Sequence, residues 1–328
     1  MSGDRTAPDP DDGQDVGRST LVMAAGTATS RVFGIVRISV LVTAIGANAG
    51  AANAFSVANW LPNMLYMLVA GGVLNAVLVP QVVRAYKTGS GQAYVDRLLT
   101  LAGTLLLALT VLLTLSAPLI VRLAVSDKDP EFVALATAFA LWCIPQVFFY
   151  GTYTLLGQVL NARGSFGPYM WAPVVNNVVA IAGMVVFMAM FGRHVPGAPL
   201  NDYGSWDSTR IAVLAGTATL GVVAQAVVLL IPLYRSGFRY RPRGGWRGAG
   251  LGTAGRVAAW TFAALVIGQV ATLVVTNISS RASQEYAADV AGNTVYTLAF
   301  TVFMLPHSLV TVSLLTALFT RLSAHAAT

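Results

Sequence analysis

Long runs without a charged side chain recur along this chain, and most of its polar residues are confined to the short stretches between them. About 20 apolar residues at 1.5 Å rise per residue cross roughly 30 Å of hydrocarbon. On that measure the pattern predicts eight membrane spans, at residues 19–46, 55–83, 98–120, 132–160, 166–191, 211–233, 257–278 and 290–319. The runs are continuous and lack two-residue alternation, so helices are expected and not the strands of a barrel. The fold class is therefore an all-α integral membrane protein. Composition agrees: 56% of residues are hydrophobic and 10% charged, against about 25% charged in soluble domains.

Residues 1–18 hold five aspartates among prolines and glycines, and a disordered tail is expected there. The tail lacks a basic segment leading into a short apolar stretch and cleavage site, so the first span is expected to be retained. Lysine and arginine favour cytoplasmic loops. With the N-terminus inside, thirteen basic residues fall on the cytoplasmic side and five outside. The net charge of +7 then reflects cytoplasmic loops beside anionic lipid, and no nucleic-acid partner is needed to explain it.

The two remaining basic residues, Arg31 and Arg37, lie inside the first span. An arginine in hydrocarbon costs about 2.5–3.5 kcal/mol on insertion scales, so two in one helix are expected to face a cavity or a partner. Six residues apart, they are offset by roughly 9 Å in height and 120° in azimuth, and their long stems can still converge. Every Asp and Glu lies in the tail, in a loop or at a span end, which leaves no buried acid to pair with them. A guanidinium fork matches phosphate oxygens, so the expected ligand is phosphorylated or diphosphorylated.

The same lack of buried acids argues against a carboxylate relay for ion coupling and against a magnesium-dependent lipid transferase. Cys143 is the single cysteine, and His194, His307 and His325 are far apart. No disulfide, metal site or cofactor is expected, and the reading is a transporter without covalent chemistry.

Along the second span, Asn53, Asn59 and Asn63 are candidate substrate-binding residues, with helix gluing as the competing role. Asn59 and Asn63 share a helix face. In the fifth span Asn176 and Asn177 read more as packing residues. Leu61-Pro62-Asn63 and Leu305-Pro306-His307 stand six spans apart, which fits a parallel repeat of two lobes around a cavity. Pro62, Gly71, Gly72 and Pro306 are candidate hinge positions; a kink without function is the alternative for each proline.

At Thr29-Ser30-Arg31-Val32-Phe33-Gly34-Ile35-Val36-Arg37, then Ala52-Asn53-Ala54-Phe55, Leu61-Pro62-Asn63, Gly72 and Val79-Pro80, the chain resembles the opening of the MurJ/MviN family. Members are lipid II flippases of the multidrug/oligosaccharidyl-lipid/polysaccharide exporter superfamily. Leu160-Asn161-Ala162-Arg163-Gly164-Ser165-Phe166, with Pro173 and Asn177, resembles that family's segment between spans four and five. The style of the second and eighth spans is similar to the actinobacterial branch.

The resemblance implies fourteen helices in two lobes that move lipid-linked peptidoglycan precursor from the inner to the outer leaflet by alternating access. Arg31 and Arg37 match two arginines thought to engage the diphosphate. Departures from the family's pattern are Ile38 and Asn53 where aspartate is frequent, Tyr66 and Met67 where basic residues are common, and Thr301 where an arginine is often found.

The implied organisation is a cytoplasmic tail at 1–18, a six-helix lobe at 19–234, a basic cytoplasmic loop at 235–256, and the first two helices of a second lobe at 257–328. On this reading the chain is a C-terminally truncated form that does not flip lipid alone. The expected partners are lipid II, anionic membrane lipids and cell-wall synthesis proteins, in a bacterial plasma membrane. Alternatives are an exporter of another polyprenyl-diphosphate sugar, and a membrane scaffold for cell-wall enzymes.

Overall fold

Where the first helix begins is the first departure from expectation. In the computed structural model, which describes residues 10–47, 50–69, 92–125, 129–195, 203–244, 263–279 and 293–306, helix α1 spans Pro10–Ile45. It starts nine residues before the expected span. A proline followed by acidic residues is a sequence signature of a helix start, because the proline lacks only a donor that has no partner there and the acids suit the positive helix end.

The other helices are α2 (Gly50–Val69), α3 (Gln92–Leu115), α4 (Ala117–Ala124), α5 (Pro130–Cys143), α6 (Gln146–Ala162), α7 (Gly167–Phe191), α8 (Ser208–Val227), α9 (Leu230–Arg235), α10 (Ala263–Ser279) and α11 (Asn293–Pro306). Among the described residues there is no strand. The chain is an all-helical membrane protein. Five helical stretches are long and apolar enough to cross a bilayer: Val22–Ile45, Gln92–Leu115, Pro130–Ala162, Gly167–Phe191 and Ser208–Arg235. Helix α2 begins five residues before the expected second span. The shorter α10 and α11 fall at the seventh and eighth. Gly71, Gly72 and much of the 235–256 loop lie outside the described residues.

Backbone groups released by breaks in these helices are recaptured locally, as hydrocarbon requires. Pro173 has no N–H to donate to the carbonyl of Tyr169 one turn earlier, and the Tyr153 hydroxyl donates to that carbonyl instead, at 2.9 Å. The span Pro130–Ala162 breaks at Ile144–Pro145. There Thr219 Oγ1 donates to the Trp142 carbonyl at 2.7 Å, and Gln146 Nε2 donates to Thr219 Oγ1 at 2.9 Å. The turn from α6 into α7 closes with Ser165 N–H on the Leu160 carbonyl and Gly164 N–H on that of Asn161. Gly164 has φ of 76°, the left-handed conformation that this helix ending places on glycine.

Without a hydrophobic drive between helices in lipid, close approach at small residues carries the packing. Helix α7 lies between α1 and α8 and makes the most extensive contacts in the bundle. A Cβ at Gly183 would fall 2.3 Å from Thr217, and one at Gly221 would fall 2.5 Å from Asn176 Oδ1. On the other side, the bare Cα of Gly26 meets the Trp171 ring, whose Nε1 donates to the Val22 carbonyl at 3.2 Å.

Helix α5 joins α2 to α8, and α6 joins α3 to α8. Two buried apolar clusters result. One, around Phe55, Phe139, Ile144 and Phe187, sits toward the α7–α8 connection, and the other, around Leu98, Val159, Leu160 and Leu229, sits toward the α6–α7 connection. Outward-facing Leu112, Leu115, Leu119 and Leu123 are exposed and suit a lipid-facing surface.

Candidate functional site

Between the two clusters α1 and α2 diverge around a cavity of about 340 Å³. Helix α1 contributes Gly34, Arg37, Ile38 and Leu41. Helix α2 contributes Phe55, Ser56, Asn59, Trp60 and Asn63. Tyr150 of α6, Asn177 of α7 and Thr297 of α11 complete the lining. Spacing explains the α1 and α2 sets, because positions three and four apart return to one helix face. Pro62 is buried within α2, which continues through it to Val69. Pro306 is the last described residue of α11.

The guanidinium of Arg37 reaches the cavity wall about 12 Å along α1 from its C-terminal end. Among the described residues it makes no hydrogen bond and no ion pair. Polar donors nearby are the amides of Asn59 and Asn63, one helix turn apart. Asn177 is partly committed: its Nδ2 donates to the Ser30 carbonyl at 3.0 Å and fastens α7 to α1 one turn below the cavity. A tilted aromatic pair adjoins the lining, with the Tyr66 and Tyr150 ring centroids 5.5 Å apart at 35°, and the Tyr66 hydroxyl shares a hydrogen bond with that of Thr154.

Three of the five residues expected to bind substrate, Arg37, Asn59 and Asn63, therefore share one cavity. Arg31 and Asn53 do not line it. Arg31 is half-buried and its Nε has no hydrogen-bond partner; the six-residue offset turns it away from the wall that Arg37 occupies. Asn53 is buried at 9% exposure at the start of α2 and has a partner of its own. Asn177, Tyr150 and Thr297 were not legible as site residues in the sequence. For Asn177 a weak signal existed, because the Asn176–Asn177 pair sends two amides to adjacent faces of one helix. Asn176 takes the packing role, donating to Gln225 Oε1 at 2.9 Å, and Asn177 takes the cavity. Thr297 lies one turn before Thr301 and accepts the Thr301 hydroxyl at its carbonyl, 2.7 Å away.

Chemically the described residues of the cavity offer the Arg37 cation, neutral amide donors and aromatic faces. Among the described residues no group of three His, Cys, Asp or Glu is gathered that could hold a metal ion. The arrangement can bind an anion and a polar or sugar-bearing group beside it.

A family model for the lipid II flippase MurJ matches residues 41–328. The lipid II flippase MurJ of Burkholderia cenocepacia is 32% identical over 174 residues, covering 51% of this chain and 33% of its own length. The probable lipid II flippase MurJ of Haemophilus influenzae is 25% identical over 266 residues, covering 77% of this chain and 49% of its own. Among solved structures, a lipid II flippase MurJ in an inward closed conformation superposes with a TM-score of 0.65 at 19% identity, over 93% of this chain and 59% of that one. A MOP superfamily transporter from Pyrococcus furiosus gives 0.61 at 16% identity, over 89% of this chain and 60% of that one. The chain thus spans between about a third and a half of the length of these curated relatives.

Proposed function

We propose, because this chain belongs to the lipid II flippase MurJ family, that it serves transport of lipid II from the cytoplasmic to the outer leaflet of the bacterial plasma membrane. The cavity between α1 and α2 receives the headgroup, and Arg37 holds the diphosphate. Arg31, about 9 Å nearer the N-terminal end of α1, meets the same ligand as it enters. Asn59, Asn63 and Asn177 supply neutral hydrogen bonds to phosphate or sugar oxygens, with Asn53 supporting the start of α2.

The observation that carries this reading is the Arg37 guanidinium on the wall of a cavity of about 340 Å³, with no hydrogen bond or ion pair among the described residues. In a medium of low dielectric, a cation held without a protein counter-charge favours an anionic ligand strongly. A bidentate fork also favours phosphate over a simple point charge.

Alternating access would arise from the six-helix lobe at 19–234 rocking against a second lobe to which residues 257–328 contribute two helices, about the helices that carry Pro62 and Pro306. Gly71 and Gly72, which follow α2 in the sequence, are further hinge positions in this proposal. Arg163, Arg235, Arg239, Arg241 and Arg243 gather at the α6–α7 end of the bundle, which supports a cytoplasmic assignment for that end and for the N-terminus.

The test is titration of the purified chain in nanodiscs with lipid II, with undecaprenyl phosphate as comparison, for the native sequence and for Arg37→Ala and Arg31→Ala. Selective binding of lipid II that Arg37→Ala weakens by at least tenfold is the expected result. Equal affinity for the two lipids, or an unchanged affinity in both variants, overturns the assignment of the diphosphate to this cavity.

A further inference from the structure

A second cleft lies at the other side of α7, on the lipid-facing surface and away from the central cavity. Helix α8 ends at Val227 and α9 begins at Leu230; the break lets α9 leave the path of α8, and the space between α9 and the first turns of α7 stays open. The cleft has a volume of about 250 Å³. Its walls are apolar: Trp171, Ala172 and Val175 from α7, and Val228, Ile231 and Pro232 from the α8–α9 break. From Trp171 to Val175 it follows one turn of α7, about 6 Å along the bilayer normal.

At its rim stands Arg235, exposed and with no hydrogen bond or ion pair to a described residue. Two neighbouring cations are held by protein groups. Arg163 donates to the Ser236 carbonyl, and Arg239 stacks on the Tyr234 ring at 3.6 Å while donating to the Tyr234 carbonyl. Arg235 is thus the guanidinium left uncommitted where the apolar cleft opens toward the membrane surface.

We infer that this cleft is a binding site for an anionic phospholipid of the leaflet at the α6–α7 end, one acyl chain lying between α7 and α9 and the phosphate meeting Arg235. Charge complementarity selects the occupant. A zwitterionic lipid offers the same chain but no net charge to the Arg235 guanidinium at the rim. The site is separate from the Arg37 cavity, shares no lining residue with it, and stands or falls independently of the flippase reading.

The experiment uses the full chain in nanodiscs containing phosphatidylglycerol or phosphatidylcholine with brominated acyl chains at equal mole fraction. Bromine quenches nearby indole fluorescence, and the Trp171 contribution is the difference between the native chain and Trp171→Phe. Quenching at Trp171 should report about fivefold enrichment of phosphatidylglycerol, the factor that one arginine near an anionic surface supplies. Arg235→Gln should bring the ratio close to one. Arg241→Gln, an exposed arginine outside the cleft, should leave it unchanged.

Equal quenching by both lipids overturns the proposal, as does loss of the preference in Arg241→Gln, which would mean a diffuse basic surface. Should Trp171→Phe not fold, phospholipid retained through purification gives a second reading. Phosphatidylglycerol should stay with the native chain and Arg241→Gln but not with Arg235→Gln, and equal retention in all three overturns the assignment.

Discussion

Gly221→Ala is the substitution that most directly tests how α7 is set against α8. A methyl group there would lie 2.5 Å from Asn176 Oδ1 and 2.9 Å from the Asn176 backbone carbonyl. Ordinary contact begins at about 3.4 Å, so the side chain must give by about 0.9 Å and the backbone by about 0.5 Å. The side chain cannot move freely, because its Nδ2 is bonded to Gln225 at 2.9 Å within a buried pocket. Nor can the backbone move without separating two helices.

Overpacking of this kind costs about 1–3 kcal/mol, and loss of an interhelical hydrogen bond in a membrane bundle adds roughly 0.6–1.7 kcal/mol. A net loss of about 2–4 kcal/mol corresponds to a midpoint roughly 4–8 °C lower, at about 2 °C per kcal/mol for a chain of this size.

Cys143 makes the assay simple. It is the single cysteine and is fully buried, so a fluorogenic maleimide reports unfolding as the thiol becomes accessible. Gly103→Ala, where nothing stands within 4 Å, should leave the midpoint unchanged or raise it by the helix-propensity difference of about 1 kcal/mol. A Gly221→Ala chain that melts with the native protein would refute the close α7–α8 contact. The displacement should also reach the cavity, because Asn177 rides on the same turn of α7 and holds Ser30.

Two further outcomes follow from the charged groups. Arg37→Lys keeps the charge but loses the fork, so lipid II affinity should fall about tenfold, as removal of one charge-assisted hydrogen bond would give; titration showing equal affinity would exclude bidentate recognition. At the other end, Asp96 is 1% exposed and faces Arg243 Nε at 3.9 Å. Arg243→Gln strands that carboxylate and should cost about 1–3 kcal/mol in the maleimide assay, less than a fully buried pair because the arginine is half-exposed. Asp96→Asn combined with Arg243→Gln should recover most of the loss, and strictly additive losses would count against a working pair.

Much of the architecture was legible because a bilayer imposes a length on every element. The five described helical stretches that are long and apolar enough to cross match the predicted apolar runs to within about six residues at each end, the first with Arg31 and Arg37 inside it. The second span was harder to read by hydropathy, since Asn53, Asn59 and Asn63 dilute it, yet those amides are what α2 brings to the cavity and its surroundings.

Legibility stopped at questions of azimuth. Neither side of a helix is water-facing in lipid, so an apolar stripe does not tell which face meets a neighbour. That is why Arg31 and Arg37 looked equivalent in the sequence although only Arg37 lines the cavity, and why Tyr150 and Thr297 could not be linked to it. Asp96 was legible only as a residue at a span end. That it lies beneath residues 240–243, which follow α9, with Arg243 N–H on Thr100 and the Tyr240 and Thr100 hydroxyls bonded at 2.8 Å, is a tertiary fact.

The contrast between Asp96 and Arg37 bears on how a bound anion would be both held and released. Where the chain has a charge to keep, at Asp96, it supplies the opposite charge from the protein itself through Arg243. In the cavity the described residues beside Arg37 are neutral amides, with Ile38 as the next residue. An internal carboxylate would have to be displaced by every incoming diphosphate, and recapture of Arg37 by that carboxylate would compete with binding. With neutral neighbours the ligand itself completes the electrostatics. Binding then depends steeply on ligand charge while the cavity is dry, and weakens once water enters and raises the local dielectric. Opening the cavity toward solvent would therefore loosen the anion without any titrating group, which is a sufficient release step for the transport proposed here.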